Sequence, residues 1–147
     1  MLYITSDHGG YKLKKRIIRY LENELETKIE DLGPFEYNKD DNYPDYTVKL
    51  AKKVLENDDN KGIAICRNGI GVCVTANKFK GIRAGIGYNI AVAQSMRNDD
   101  NANILCLAAD HLSEDHAMAI VKKWLETPFS NDERHVRRLK KIEAIKP

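Results

Sequence analysis

The chain has 147 residues, of which 42% are hydrophobic and 31% charged, with a formal net charge of +2. This size and composition fit one globular domain over residues 1–147 that folds without disulfides or metals, and the small charge argues against nucleic acid as a partner. No apolar run approaches the ~18 residues of a membrane-spanning helix, no signal-peptide pattern opens the sequence, and the three cysteines lack metal-binding spacing, so we expect a cytoplasmic protein without a membrane partner or bound metal.

Short apolar runs alternate with segments of helical periodicity along the chain. The predicted strands cover residues 2–6, 28–32, 62–66, 82–86 and 103–107. The predicted helices cover residues 13–25, 44–55, about 72–78, about 89–97, 114–125 with Ser113 as N-cap, and 134–145, the last being strongly basic. This alternation predicts an α/β fold, in which a parallel sheet carries helices on both faces.

Polar or glycine-rich sequence follows the predicted strands at four points: residues 7–10, 66–71, 87–89 and 110–111. Ligands of parallel α/β sheets bind beyond the carboxyl ends of the strands. We therefore expect Asp7, His8 and Cys66 to lie close together.

The segment after Cys66 has the composition of an anion-binding loop. A free cysteine at a strand end is most often a small buried hydrophobe. In this chain, however, a loop with two glycines and the start of a helix would bring backbone N–H groups to the sulfur, which stabilises a thiolate. Gly69 and Gly71 also allow an inward-facing nest of N–H groups. A base beside such a nest suits proton abstraction next to a carbonyl, and the alternative is a tight strand-to-helix turn.

Two other groups of residues have both a structural and a functional interpretation. Asp7 and His8 are either a helix cap followed by loop glycines or ligands for sugar hydroxyls, with His8 also able to meet a phosphate. Arg134 and Arg138 are four residues apart on the predicted basic helix, so they share one face. They form either a solvated basic surface or a phosphate clamp.

Taken together, these motifs resemble the type B ribose-5-phosphate isomerase family, which also contains the galactose-6-phosphate isomerase subunits. The resemblance extends over nearly the whole chain. It rests on Ser6-Asp7-His8-Gly9-Gly10, Tyr43-Pro44-Asp45, Cys66 with Asn68-Gly69-Ile70-Gly71, Ala76-Asn77-Lys78, Gly81-Ile82-Arg83-Ala84, Asn103-Ile104-Leu105, and Arg134-His135 with Arg138.

The resemblance implies a Rossmann-like three-layer sandwich with a five-stranded parallel sheet and a C-terminal basic helix. It implies a cofactor-free aldose–ketose isomerase of a phosphorylated sugar, working as a homodimer or a tetramer, with active sites at the subunit interface. Cys66 would be the base, with Asn68 and Asp99 as further catalytic residues. The substrate would be bound by Asp7, His8, Tyr43, Arg67, Gly69, Ile70, Gly71, Asp100, Arg134 and Arg138.

Four positions depart from that family. The loop after Cys66 usually begins Gly-Thr and here begins Arg67-Asn68. Asp100 replaces an asparagine, and Asp110 replaces an arginine that contacts phosphate. An aspartate beside a phosphate would repel it by about 4 kcal/mol at close range. We therefore predict that Arg67 pairs with Asp110 or takes the place of the missing arginine.

The histidine that opens the sugar ring is replaced as well, since Tyr88 and Asp99 occupy the two positions where the family carries it. Asp99 could serve as the acid or base if burial raised its pKa. The substrate could instead be a short, open-chain sugar phosphate, or the chain could bind a sugar phosphate without isomerising it. The sequence leaves these alternatives open.

Overall fold

The structure, a computed structural model, describes residues 1–146. Its strands are β1 (Leu2–Ser6), β2 (Ile29–Asp31), β3 (Lys61–Cys66), β4 (Ala84–Ile86) and β5 (Ile104–Ala108). Its helices are α1 (Tyr11–Asn23), α2 (Tyr43–Leu55), α3 (Ile70–Ala76), α4 (Ile90–Asn98), α5 (Glu114–Glu126) and α6 (Glu133–Glu143). The five strands form one parallel sheet in the order β2-β1-β3-β5-β4.

Helices cover both faces of the sheet, which confirms the predicted three-layer α/β fold. Successive strand side chains point to opposite faces, so Ile63 and Ile65 pack under α1, α4 and α5, whereas Ala64 and Cys66 pack under α2 and α3. The basic helix α6 lies outside both core clusters and buries only His135. No helix within residues 1–146 has both the length and the apolar character needed to cross a bilayer.

The element boundaries differ from the prediction where the chain turns tightly. β2 and β4 have three residues each, because only these residues pair with a neighbouring strand. α3 begins at Ile70 rather than near residue 72. Gly69 adopts a left-handed conformation (φ +73°), which turns the chain from the loop directly into the helix. Gly71 therefore belongs to the first helical turn and not to the loop.

The strand order creates a crevice between β1 and β3. From β1 the chain moves outward to β2 and then returns to the other side of β1 to form β3, so the loops after β1 and β3 diverge at the carboxyl edge. Ser6 and Ile65 are partners in the β1–β3 register. Asp7 therefore follows β1 beside the point where Cys66 ends β3, as the sequence predicts.

Candidate active site

Cys66 lies at the carboxyl end of β3 with its side chain buried toward α3. Its Sγ is 3.9 Å from Oδ1 of Asn68, which accepts the thiol hydrogen. The same Oδ1 accepts the N–H of Ile70 at 3.1 Å. Asn68 thereby ties the sulfur to the first turn of α3, and within residues 1–146 its side-chain N–H donors have no acceptor.

The amides beside this sulfur are available to an anion. Gly69 packs closely on β5, since a Cβ there would lie 3.2 Å from the carbonyl carbon of Leu107. In residues 1–146, the N–H groups of Gly71 and Val72 have no acceptor. Both point out of the start of a helix, where backbone N–H groups carry partial positive charge.

The ring of Tyr43 covers this turn. Tyr43 opens α2, and a Cβ on Gly71 would lie only 2.4 Å from its Cζ atom. The ring thus rests on the backbone of Gly71, a contact that only glycine permits. This contact places Tyr43 directly beside the loop that follows Cys66, which is consistent with the prediction that both belong to one site.

Asp7 and His8 form the opposite wall of the crevice. Asp7 is buried, its N–H donates to the carbonyl of Ile65, and its Oδ1 accepts the N–H of Gly10 at 3.2 Å. Burial is the main cause that raises the pKa of the Asp7 carboxyl above its ordinary value, partly offset by the hydrogen bond from Gly10. His8 is partly exposed and bonds to Asp41, a residue that no motif in the sequence singles out.

Arg67 pairs with Asp110, which confirms one of the two predicted outcomes. Its Nη1 lies 3.5 Å from Asp110 Oδ2, and both side chains are well exposed. The backbones are linked too, because the N–H of Asp110 donates to the carbonyl of Arg67 at 2.9 Å. A Cβ on Gly9 would lie 2.5 Å from Cγ of Arg67, so the arginine stem packs against the loop after β1.

Asp99 and Asp100 lie at the other edge of the sheet. α4 follows the carboxyl end of β4 and runs back beside the sheet, so its C-cap Asp99 is at the amino edge. The five residues of β5 separate the two edges by about 16 Å. The structure does not bring Asp99 or Asp100 together with Cys66 within one chain.

Arg134 and Arg138 share that distant edge. α6 is joined to the end of α4 by His135, whose Nε2 lies 3.7 Å from Asp99 Oδ1. Both arginines are exposed, and Arg134 lies 3.7 Å from the carboxylate of Asp132. Their role in the site remains a prediction, and it requires a second copy of the chain.

Two side chains were missed by sequence reasoning because only the fold gives them partners. Asp41 comes from a polar loop 33 residues after His8. Cys73, on α3, donates its thiol to the carbonyl of Ala84 at 3.5 Å and accepts the amide N–H of Asn77 at 3.6 Å. The neighbouring thiol of Cys106 on β5 is the main cause that lowers the pKa of Cys73 to about 7, against the opposing effect of burial. The interaction with Cys73, followed by burial, raises the pKa of the Cys106 thiol.

One cluster in residues 1–146 has the atoms for a metal. Asp7, His8 and Asp41 offer ligand atoms within 4.8 Å of one another. His8 Nδ1 and Asp41 Oδ1 are already bonded to each other at 2.7 Å. His8 and Asp41 therefore bond to each other without needing an ion between them. The expected cofactor-free site stays a prediction.

Comparisons with known proteins give concordant results. A family model described as Ribose/Galactose Isomerase matches residues 2–142. A Mycoplasma pneumoniae protein named probable ribose-5-phosphate isomerase B is 40% identical over 97% of this chain and 93% of its own length. The crystal structure of ribose-5-phosphate isomerase B from Mycoplasma genitalium with bound ribulose 5-phosphate matches with a TM-score of 0.92 at 39% identity, covering 97% of this chain and 93% of that one. The ribose 5-phosphate isomerase of Thermotoga maritima gives 0.92 at 35% identity, covering 98% and 97%.

Proposed function

The chain belongs to the ribose/galactose isomerase family, and we propose that it interconverts ribose 5-phosphate and ribulose 5-phosphate through an enediolate, with Cys66 moving the proton. The observation that carries the proposal is the juxtaposition of a buried thiol with the free N–H groups of Gly71 and Val72. A base and donors for a developing oxyanion are the two groups that this proton transfer needs.

The reaction uses these groups in order. The Cys66 thiolate takes the proton from C2 of the open-chain aldose, and the electron pair moves to the carbonyl oxygen. The N–H groups of Gly71 and Asn68 hold the resulting enediolate oxygen. The proton of the C2 hydroxyl passes to the C1 oxygen, and the thiol returns its proton to C1, which leaves the carbonyl at C2 of the ketose. Asp7 and Tyr43 bind the hydroxyls. The substitution of Asn68 for the usual threonine keeps a hydrogen-bond donor at that position.

A coupled assay with ribose 5-phosphate tests this function. We expect Cys66→Ala and Cys66→Ser to lower kcat by about 10²–10⁴-fold, the usual contribution of a general base. Both variants should keep the fold because the replacements are small. Cys73→Ala is the matched control, because the Cys73 side chain on α3 bonds to the carbonyl of Ala84; this variant should retain activity. A Cys66→Ala protein with full activity would exclude Cys66 as the base.

The phosphate end of the site requires a second subunit in this proposal. Arg134 and Arg138 are exposed and unable to reach the Cys66 of their own chain. Four large apolar side chains near the carboxyl edge are exposed: Ile70, Val74, Tyr88 and Ile90. Such exposed apolar residues favour an interface. We infer a homodimer in which each active site combines the cysteine loop of one subunit with the arginines of the other.

Mixing two inactive variants tests the shared site. Cys66→Ala and Arg134→Ala/Arg138→Ala are each expected to be inactive. After subunit exchange between equal amounts, about half of the dimers contain one subunit of each variant, and one of the two sites in each mixed dimer is intact. The mixture should therefore regain about a quarter of wild-type activity. Light scattering of the wild type checks the dimer independently. A dimer whose mixed variants stay inactive would place both sets of residues in sites formed by single chains.

A short, open-chain sugar phosphate is the second candidate substrate. It is favoured by one observation: Tyr88 and Asp99 replace the ring-opening histidine, and Tyr88 is 62% exposed. Parallel assays with ribose, allose, galactose and tetrose phosphates distinguish the two candidates. Turnover of the tetroses alone would favour the open-chain substrate, and turnover of none would favour a binding protein.

A further inference from the structure

We propose that Asp41 is a positioning residue for His8: it holds the imidazole in the tautomer protonated on Nδ1 and leaves Nε2 as the ring nitrogen offered to the sugar phosphate. This inference rests on the proposed function. It adds a residue that neither the motifs nor the family resemblance singled out, from the loop between β2 and α2.

Asp41 meets His8 through two hydrogen bonds at one oxygen. Its Oδ1 lies 2.7 Å from the ring Nδ1 of His8 and accepts the backbone N–H of the same residue at 2.9 Å. The side chain of Asp41 is 4% exposed and that of His8 is 21% exposed. The carboxylate is therefore held out of water behind the ring, while part of the imidazole stays accessible to a ligand.

The chemistry of this contact fixes the proton. Since Oδ1 of Asp41 accepts the backbone N–H of His8, it is also the acceptor for the ring, and Nδ1 is the donor. The hydrogen bond made by one ring nitrogen decides which nitrogen carries the proton, and carboxylates behind histidines act in this way. Nε2 is then a lone-pair acceptor in the neutral ring and a donor in the imidazolium, whose charge Asp41 balances.

The loop that carries Asp41 is itself anchored. Lys14 is fully buried on α1, and its Nζ donates to Asp31 at 2.7 Å and to the carbonyl of Pro34 at 2.7 Å. Tyr37, from the same loop, meets the His8 ring edge-on with centroids 6.3 Å apart. The start of the loop is thus fixed to the core, and the ring is held between Asp41 and Tyr37.

Nitrogen NMR of the histidine rings tests the tautomer directly. In the neutral ring, recorded at alkaline pH, we expect His8 to show the Nδ1–H pattern in the wild type and in Asp41→Asn, whose amide oxygen can still accept. Asp41→Ala should shift it to the Nε2–H pattern, and Asp40→Ala, an exposed neighbour, should leave it unchanged. His8→Gln assigns the signal. An Nε2–H pattern in the wild type, or no change in Asp41→Ala, would overturn the proposal.

Kinetics test whether Asp41 acts through His8. We expect Asp41→Ala to lower kcat/KM for ribose 5-phosphate by about 10- to 100-fold, the range for losing a charge-assisted hydrogen bond. In a His8→Ala background the same change should have no further effect, whereas a merely structural role would give additive losses and would overturn the proposal. The NMR result does not depend on turnover, so a chain that isomerises no sugar would refute the proposed function while leaving the tautomer to be decided separately.

Discussion

Gly71→Ala tests the contact between the cysteine loop and α2. The new Cβ would lie 2.4 Å from Cζ of Tyr43 and 2.7 Å from Cε2, whereas carbon atoms pack at about 3.5–4.0 Å. The ring therefore has to move by more than about 1 Å. Because Tyr43 is 37% exposed, it can swing into solvent.

Two opposing effects set the change in stability. Gly71 has no positive φ and lies in the first turn of α3, so alanine favours the helix by about 0.5–1 kcal/mol. Overpacking opposes this by about 1–3 kcal/mol. The expected net loss is about 0–2.5 kcal/mol, or roughly 0–10 °C in Tm. Displacement of the ring should lower kcat/KM by about 10- to 100-fold, because a shift of this size misaligns bound groups.

A double-mutant cycle measured by thermal unfolding and by the coupled assay isolates the contact. In a Tyr43→Ala background the clash is absent, so Gly71→Ala should become stabilising by about 0.5–1 kcal/mol and should not lower activity further. A Tyr20→Ala background is the control, since that half-buried tyrosine lies on α1, on the other face of the sheet. Equal destabilisation by Gly71→Ala with and without the Tyr43 ring would refute the reasoning.

Three other outcomes follow from charges in and near the site. Since burial raises the pKa of Asp7 above 3.8, the folded chain holds this proton more tightly than the unfolded chain, and the stability that the proton contributes is lost as the pH rises through the raised pKa. Asp7→Asn should therefore raise Tm at neutral pH while activity falls. A lower Tm would contradict this expectation. The rate at which Cys73 is alkylated, measured by mass spectrometry, should rise with pH with a midpoint near pH 7. Cys106→Ala should move that midpoint to a higher pH. An unchanged midpoint would exclude Cys106 as the cause of the lowered pKa. Asp110→Asn should lower stability by less than about 1 kcal/mol, because the ion pair of Asp110 with Arg67 is exposed. The same change should lower KM for the sugar phosphate, because Arg67 is then free to bind the phosphate. An unchanged or higher KM would contradict this second expectation.

Local pattern was enough to predict the layers of the fold and the position of Asp7 beside Cys66 at one edge of the sheet. The apolar run at residues 62–66 followed by two glycines predicted a buried strand and a tight turn, and both are present with Cys66 at the junction. Asp7 and Cys66 face one crevice because the carboxyl ends of parallel strands share an edge. These features depend on residues close in sequence and on a general rule of α/β sheets.

The remaining features needed the tertiary structure, because they depend on contacts between residues far apart in the chain. Periodicity does not encode strand order, so the insertion of β5 between β3 and β4 could not be predicted. The contact of His8 with Asp41 depends on how the loop after β2 folds back over β1. The distance between Asp99 and Cys66 depends on the direction of α4. The sequence by itself thus determined the fold class and the tight loop after Cys66, and the packing of distant segments decided which side chains lie together.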